Sequence, residues 1–183
     1  MITSRYEFNE ILAPRIQTGL FVEIGVWHGN YSETIRSWGL HSLLYLVDPW
    51  RQLEGYKDSI NKTEPEEFDR LYKMVCDKFA ADSTVKILRQ TSDAAVDGFI
   101  DECFDWVYID ANHDYAHTSQ DIKMWFPKVR PGGIMSGHDY SDCTFADGTE
   151  FGVKSAVTDF VKDRWPVHHL TEKQDNSWYF VKE

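Results

Sequence analysis

The residues best suited to chemistry stand in two short clusters. In the first, "FDWVYIDANHDY" at 104–115, the apolar run from Phe104 to Ile109 breaks into Asp110, Asn112, His113 and Asp114. A short apolar run bounded by polar residues suits a strand buried on both faces. In an open α/β sheet, ligands bind beyond the carboxyl ends of such strands. Asp110 then ends a central strand, and His113 follows three residues on, so a carboxylate and an imidazole share one site. One can hold a cation while the other takes a proton. In the second cluster, "IMSGHDY" at 134–140, another strand runs into His138 and Asp139. Taken alone, the first stretch also fits a strand followed by an ordinary polar loop.

Three further strand ends carry candidate binding groups. Residues 20–24, "LFVEI", lead into "EIGVWHGNYSETI", where Glu23, Gly25 and Gly29 precede a helix expected over 31–38 with Asn30 as a possible N-cap. Glycines permit close backbone approach, and a helix N-terminus presents free N–H groups to a ligand. The spacing E-x-G-x-x-x-G lacks the third glycine of G-x-G-x-x-G, which counts against an NAD-binding oxidoreductase. Residues 43–47, "LLYLV", end in Asp48-Pro49. A carboxylate there accepts from two ribose hydroxyls at once, although Asp-Pro also suits a turn. After "TVKIL" at 84–88, Thr91, Ser92 and Asp93 cap a short helix, and Ser92 and Asp93 equally suit contact with a base or its exocyclic amine.

The elements that position these groups alternate. Residues 3–18 read as a leading helix or arm with Tyr6, Phe8, Ile11, Leu12 and Ile16 for packing and Pro14 limiting its regularity. Phe68, Leu71, Tyr72, Val75 and Phe79 mark one face of a helix over about 65–80, with Thr63 and Glu66 as a capping box. Thr118 or Ser119 begins a helix to Phe126, "VRPGG" reads as a turn, and a last helix runs through Val153, Ala156, Val157, Phe160 and Val161. Two strands near 167–170 and 177–182 close the chain. Strand and helix alternate five times, which predicts a doubly wound α/β sheet. Every polar cluster falls at a strand end. The polar stretches 51–64 and 141–150 leave the same edge and suit mobile lids over a site.

Composition narrows the function. The chain has 183 residues, 42% of them hydrophobic, so one domain over 1–183 is expected, with 1–18 as its arm. A formal net charge of −11 argues against a nucleic-acid partner. Three scattered cysteines indicate neither a disulfide framework nor a zinc site. The N-terminus has no apolar signal core and no run reaches membrane-spanning length, so a cytoplasmic protein with no membrane partner is expected.

From about residue 20 onward the chain resembles the class I S-adenosylmethionine (SAM)-dependent methyltransferases. "VEIGVWHG" resembles their SAM loop, and "YLVDPW" their acidic ribose-binding strand end. The block "VYIDANHDYAHTSQDIKMWFPKVRPGGIMSGHDY" is similar to a small-molecule O-methyltransferase subgroup that includes macrolide- and aminocoumarin-sugar methyltransferases. The resemblance implies a Rossmann-like seven-stranded sheet in the order 3-2-1-4-5-7-6 with the last strand antiparallel. It implies SAM bound by Glu23, Gly25, Gly29, Asp48, Ser92, Asp93 and Asp110. It also implies a divalent metal, magnesium or manganese, held by Asp110 and the pair ending strand five, and a small hydroxylated acceptor. His113 occupies the position of a candidate base. The pair reads His138-Asp139 where relatives carry two acidic or acid–amide residues. With His138 as a ligand, manganese, iron or zinc would be tolerated better than magnesium. His138 is equally suited to facing the substrate. A non-catalytic SAM-binding protein is the rival reading, and Asp110, His113 and Asp139 together argue against it.

Overall fold

The computed structural model describes residues 3–56, 58–170 and 176–183. The first two residues of the expected 1–18 arm and residue 57 of the expected 51–64 lid lie outside the described residues. The strands are β1 (Gly19–Ile24), β2 (His41–Val47), β3 (Val85–Leu88), β4 (Phe104–Ile109), β5 (Val129–Gly137), β6 (Asp142–Thr144), β7 (Glu150–Gly152), β8 (His168–Leu170) and β9 (Ser177–Val181). The helices are α1 (Asn9–Leu12), α2 (Asn30–Ser37), α3 (Pro65–Phe79), α4 (Ser92–Val96), α5 (Tyr115–Trp125) and α6 (Val153–Val161). Seven strands form one sheet in the order β3-β2-β1-β4-β5-β9-β8. Strands β1 to β5 pair in parallel, and β9 runs antiparallel to both β5 and β8. Strands β6 and β7 make a separate hairpin, so within the sheet the order is the expected 3-2-1-4-5-7-6.

Alternation along the central strands divides the core. On one face Phe21, Leu44, Leu46, Trp106 and Tyr108 pack with Ile35 of α2 and with Phe68, Leu71, Val75 and Phe79 of α3. On the other, Val22, Ile24, Val107, Ile109 and Met135 pack with Ile122 and Trp125 of α5 and Val157 of α6. The arm joins the first face through Phe8, Ile11, Leu12 and Ile16. Its helix stops at Leu12, before Pro14. Phe8 is fully buried, 5.7 Å from Trp106 between ring centroids, and truncating such a ring costs about 3–5 kcal/mol. Among the described residues, no helix is long and apolar enough to cross a membrane.

The ends of several elements differ from expectation. Helix α5 starts at Tyr115 because Asp114, not Thr118 or Ser119, caps it, its Oδ1 accepting from the His117 N–H at 2.9 Å. Gly29, at φ 71°, holds the N-cap of α2 in place of Asn30. The capping box of Thr63 and Glu66 is replaced by Glu64 at the N-cap of α3, without a side-chain bond. "VRPGG" lies within β5, the irregularity absorbed by a register shift opposite Phe104 and Trp106. Most of 141–150 is built into the β6–β7 hairpin rather than an open loop. In 51–64, a short 3-10 helix at Ser59–Lys62 is capped by Asp58.

Candidate active site

The carboxyl ends of β1, β2, β4 and β5 open into a cavity of about 650 Å³ whose walls include Glu23, Gly25, Asp48, Asp110 and Asp139. Gly25, at φ 85°, turns the chain at the end of β1. A Cβ there would lie 1.9 Å from the carbonyl oxygen of Asp110. The glycine is therefore required by the approach of two backbones as well as by any ligand. Gly29 stands outside this lining, and a Cβ on it would meet Phe79 and Val75 of α3. Its role in the structure is to start α2.

Asp48 is held by backbone. Its Oδ2 accepts from the N–H groups of Val26 and Trp27 at 2.9 Å each, and its Oδ1 from Trp50 N–H at 2.7 Å. Trp27 and Trp50 both have positive φ, a conformation unfavourable for bulky residues, and this carboxylate helps hold them there. Burial raises its pKa against those three bonds. Glu23 is buried and accepts a short hydrogen bond from Ser32 Oγ. Burial pushes its carboxyl up to about 8, Ser32 only partly opposing this, so Glu23 is largely neutral at pH 7.

At the other side of the cavity, His113 Nε2 lies 3.0 Å from Asp139 Oδ2 and 3.4 Å from Asp110 Oδ1, and its Nδ1 lies 3.9 Å from Asp58 Oδ2. Burial alone would lower the imidazole pKa. The nearby carboxylates of Asp110, Asp139 and Asp58 outweigh burial and hold it well above the ordinary histidine range. Burial likewise opposes ionisation of Asp139, but His113 and His138 overcome it and depress its pKa. Asp58 is drawn down to about 2, chiefly by His113. Asp139 has φ 52°, so the chain bends sharply after β5 where its side chain meets His113. One ligand atom from each of Asp110, His113 and Asp139 lies within 4.8 Å of the others. His138 is outside that group; its Nδ1 pairs with Asp139 Oδ2 at 3.1 Å and stands 3.9 Å from Asp110 Oδ1. The ends of β4 and β5 meet, and both His113 and His138 stand beside the carboxylates of Asp110 and Asp139. His117 lies exposed at the start of α5, paired with Asp114 at 2.7 Å.

Ser92 and Asp93, at the start of α4, also line the cavity. Thr91 holds the N-cap position of α4 without a side-chain bond to the helix backbone, and its hydroxyl draws the Asp93 pKa down. Three cavity residues were not anticipated. Arg5 reaches in from the arm, its Nη1 3.0 Å from Asp110 Oδ2. Asp58 stands behind His113. Asp121 of α5 is 6% exposed and lines the wall beside Ser92. Only Asp121 carried a signal: it lies four residues before the core residue Trp125, on the same helix face, where a charge needs a reason.

A second cavity of about 310 Å³ adjoins the first and shares Tyr56, Asn112 and His113 with it. The hairpin forms one wall. The Phe151 ring lies tilted by 35° against His113, 4.5 Å away between ring centroids, and Gly152 N–H donates to the His113 carbonyl at 2.8 Å.

A sheet of this order, with a glycine turn after β1 and acidic residues ending β2 and β4, has the Rossmann-like fold of the SAM-dependent methyltransferases. Residues 22–140 match the methyltransferase-domain family Methyltransf_24, and the chain belongs to that family. No curated protein matches the chain. Several solved structures share its fold. A candidate rRNA methylase from Clostridium thermocellum is 14% identical with a TM-score of 0.68, covering 100% of this chain and 97% of its own. The N-methyltransferase NodS from Bradyrhizobium japonicum, solved with S-adenosyl-L-homocysteine (SAH), is 12% identical with a TM-score of 0.62, covering 98% and 88%. A candidate caffeoyl-CoA O-methyltransferase from Staphylococcus aureus is 11% identical with a TM-score of 0.65, covering 95% and 80%.

Proposed function

We propose that the protein transfers the methyl group of SAM to a hydroxyl oxygen of a small molecule seated in the second cavity. The observation that carries this reading is His113, which stands between the two cavities with Asp110 and Asp139 at its Nε2. In the reaction the S–CH3 bond breaks as an O–CH3 bond forms, and the acceptor oxygen gives up its proton. The sulfonium is already a good methyl donor; the hydroxyl is the partner that needs activation. The residues for this are gathered where the cavities meet. Only a neutral imidazole can accept the proton, so His113 must first lose the one its carboxylates hold.

The same donors suit a divalent cation. Two carboxylates and an imidazole converge, with one ligand atom of each within 4.8 Å of the others. Asp110, His113 and Asp139 would hold the ion; His113, its Nε2 then a ligand, would no longer be the base, and the ion would lower the pKa of the acceptor hydroxyl in its place. An imidazole among the ligands suits manganese, iron or zinc better than magnesium. In the first cavity Glu23, Gly25 and Asp48 face the cofactor. Asp48 retains lone pairs for a ribose hydroxyl beyond its three backbone bonds.

The test is SAH release from SAM with a panel of hydroxylated acceptors, with and without a chelator and with added manganese. SAH formation that the chelator abolishes and manganese restores supports methyl transfer with the cation as the activating group. Chelator-resistant turnover removes the cation and leaves His113. SAM binding without turnover on any acceptor favours a binding protein.

A further inference from the structure

The second cavity draws carboxylates from three separate elements: Asp58 from the 51–64 segment, Asp114 at the start of α5 and Glu150 from β7 of the hairpin. Among its described lining residues there is no lysine or arginine. The basic side chain on this wall is His113, and its Nε2 already faces Asp110 and Asp139, which lie outside the wall. A divalent ion held by those three donors would leave the wall carboxylates as they are. The rings of Tyr56, Tyr115 and Phe151 share the lining.

Two polar groups on the wall have an atom to spare. Asp58 Oδ1 accepts from Ile60 N–H at 3.0 Å, which fixes the side chain. Its Oδ2 stands 3.9 Å from His113 Nδ1, beyond hydrogen-bond reach. His113 Nδ1 is buried and, among the described residues, has no hydrogen-bond partner. An imidazole nitrogen and a carboxylate oxygen are thus left side by side, and a ligand carrying both hydroxyl and N–H groups can serve both. Asp114 differs, because His117 occupies both of its oxygens. A cleft lined by charges of one sign focuses their field and gathers ligands of the opposite sign. Aromatic faces hold an ammonium group as well as an apolar one. An anionic acceptor would meet carboxylates with no cation to answer it. Resting on the methyl-transfer reading, we propose that the acceptor is a hydroxylated amine, its ammonium group held by Asp58 and Glu150 and its hydroxyl beside His113.

The test is calorimetry on the SAH-loaded protein at pH 7 with two matched sets of probes. One is dopamine, ethylcatechol and dihydrocaffeate; the other is glucosamine, glucose and glucuronate. Each set runs from cation through neutral molecule to anion. In at least one set the amine should bind tighter than the neutral member by on the order of 10–100-fold, the range of a hydrogen bond to a charged group, and the acid should bind weakest. Glu150→Gln should cut that ratio several-fold and leave the neutral member unchanged. Asp58→Asn, which can still accept from Ile60 N–H, should cut it too; the ratio cancels any effect on His113 that both probes share. A ratio near one in both sets overturns the proposal, as does failure of both amines to bind. So does a preference that survives both substitutions, which belongs to the formal net charge of −11. SAH release from SAM with the same probes reads the underlying function separately. Turnover without preference for the amine removes this proposal alone. A preference in binding that both substitutions reduce, with no turnover on any probe, removes methyl transfer and keeps the ammonium site.

Discussion

Asp110 and Asp139 each touch His113, so removing either charge should be felt in activation and not in cofactor affinity. Asp110→Asn and Asp139→Asn should each lower turnover on the order of 10²–10⁴-fold, the range associated with a lost acid–base group, with SAH affinity by calorimetry little changed. A parallel loss of SAH affinity would place these carboxylates in the cofactor site. On the proposed reading, a metal held by Asp110, His113 and Asp139 would have to displace a proton that the neighbouring carboxylates favour on His113. Manganese affinity, followed by electron paramagnetic resonance, should therefore rise about tenfold per pH unit near neutrality. Glu23 predicts a pH effect of a different kind. Unfolded, it ionises near about 4.3; folded, it keeps its proton up to about 8. Between those limits the unfolded chain binds fewer protons. Its contribution to stability is full below the lower value, falls by about 1.4 kcal/mol per pH unit, and is gone above the upper one. Glu23→Gln, compared with wild type by denaturant unfolding at pH 5 and pH 8, should remove that loss; an unchanged slope would show that Glu23 is ionised in the fold. Asp110, His113, His138 and Asp139 were legible because each lies at or just beyond the end of an apolar run. Arg5 and Asp58 were not, since nothing local to them records which strand end they fold against.

At the scale of elements, the hairpin is tied to the site through one residue. Gly152 donates to the His113 carbonyl, and a Cβ on it would sit 2.8 Å from Tyr115. Gly152→Ala must push the hairpin off α5, at about 1–3 kcal/mol if the wall cannot relax. The expected result is a higher KM for the acceptor with SAH affinity unchanged; an unchanged KM would separate the hairpin from acceptor binding. Element existence was readable from periodicity. Phe68, Leu71, Val75 and Phe79 are all buried on one stripe of α3 as their spacing predicts. Element ends were less so, because several adjacent residues compete for one cap. Asp114 prevailed over Thr118 and Ser119 by reaching the His117 N–H. The hairpin escaped notice because its strands are three residues each and half exposed, too short and too polar for alternation to register.

At the scale of the whole molecule, the doubly wound sheet was legible because apolar runs alternate with amphipathic ones, and its strand order came from the resemblance to SAM-dependent methyltransferases. The two cavities were not, since they arise from the arm, the 51–64 segment and the hairpin closing around the strand ends. These parts differ in how freely they can change. The turn after β1 and the end of β4 approach so closely that no side chain fits at Gly25. A substitution there would disturb the cofactor cradle and displace Asp110 in the same stroke. The wall of the second cavity, where the acceptor is proposed to sit, has no such tie to the central strands; it is a hairpin and a surface segment attached beside them. A lineage of this chain that acquires a new acceptor would rewrite the hairpin and the 51–64 segment. It would inherit Gly25 and Asp110 as one indivisible unit, and directed evolution toward new acceptors should draw its libraries along the same line.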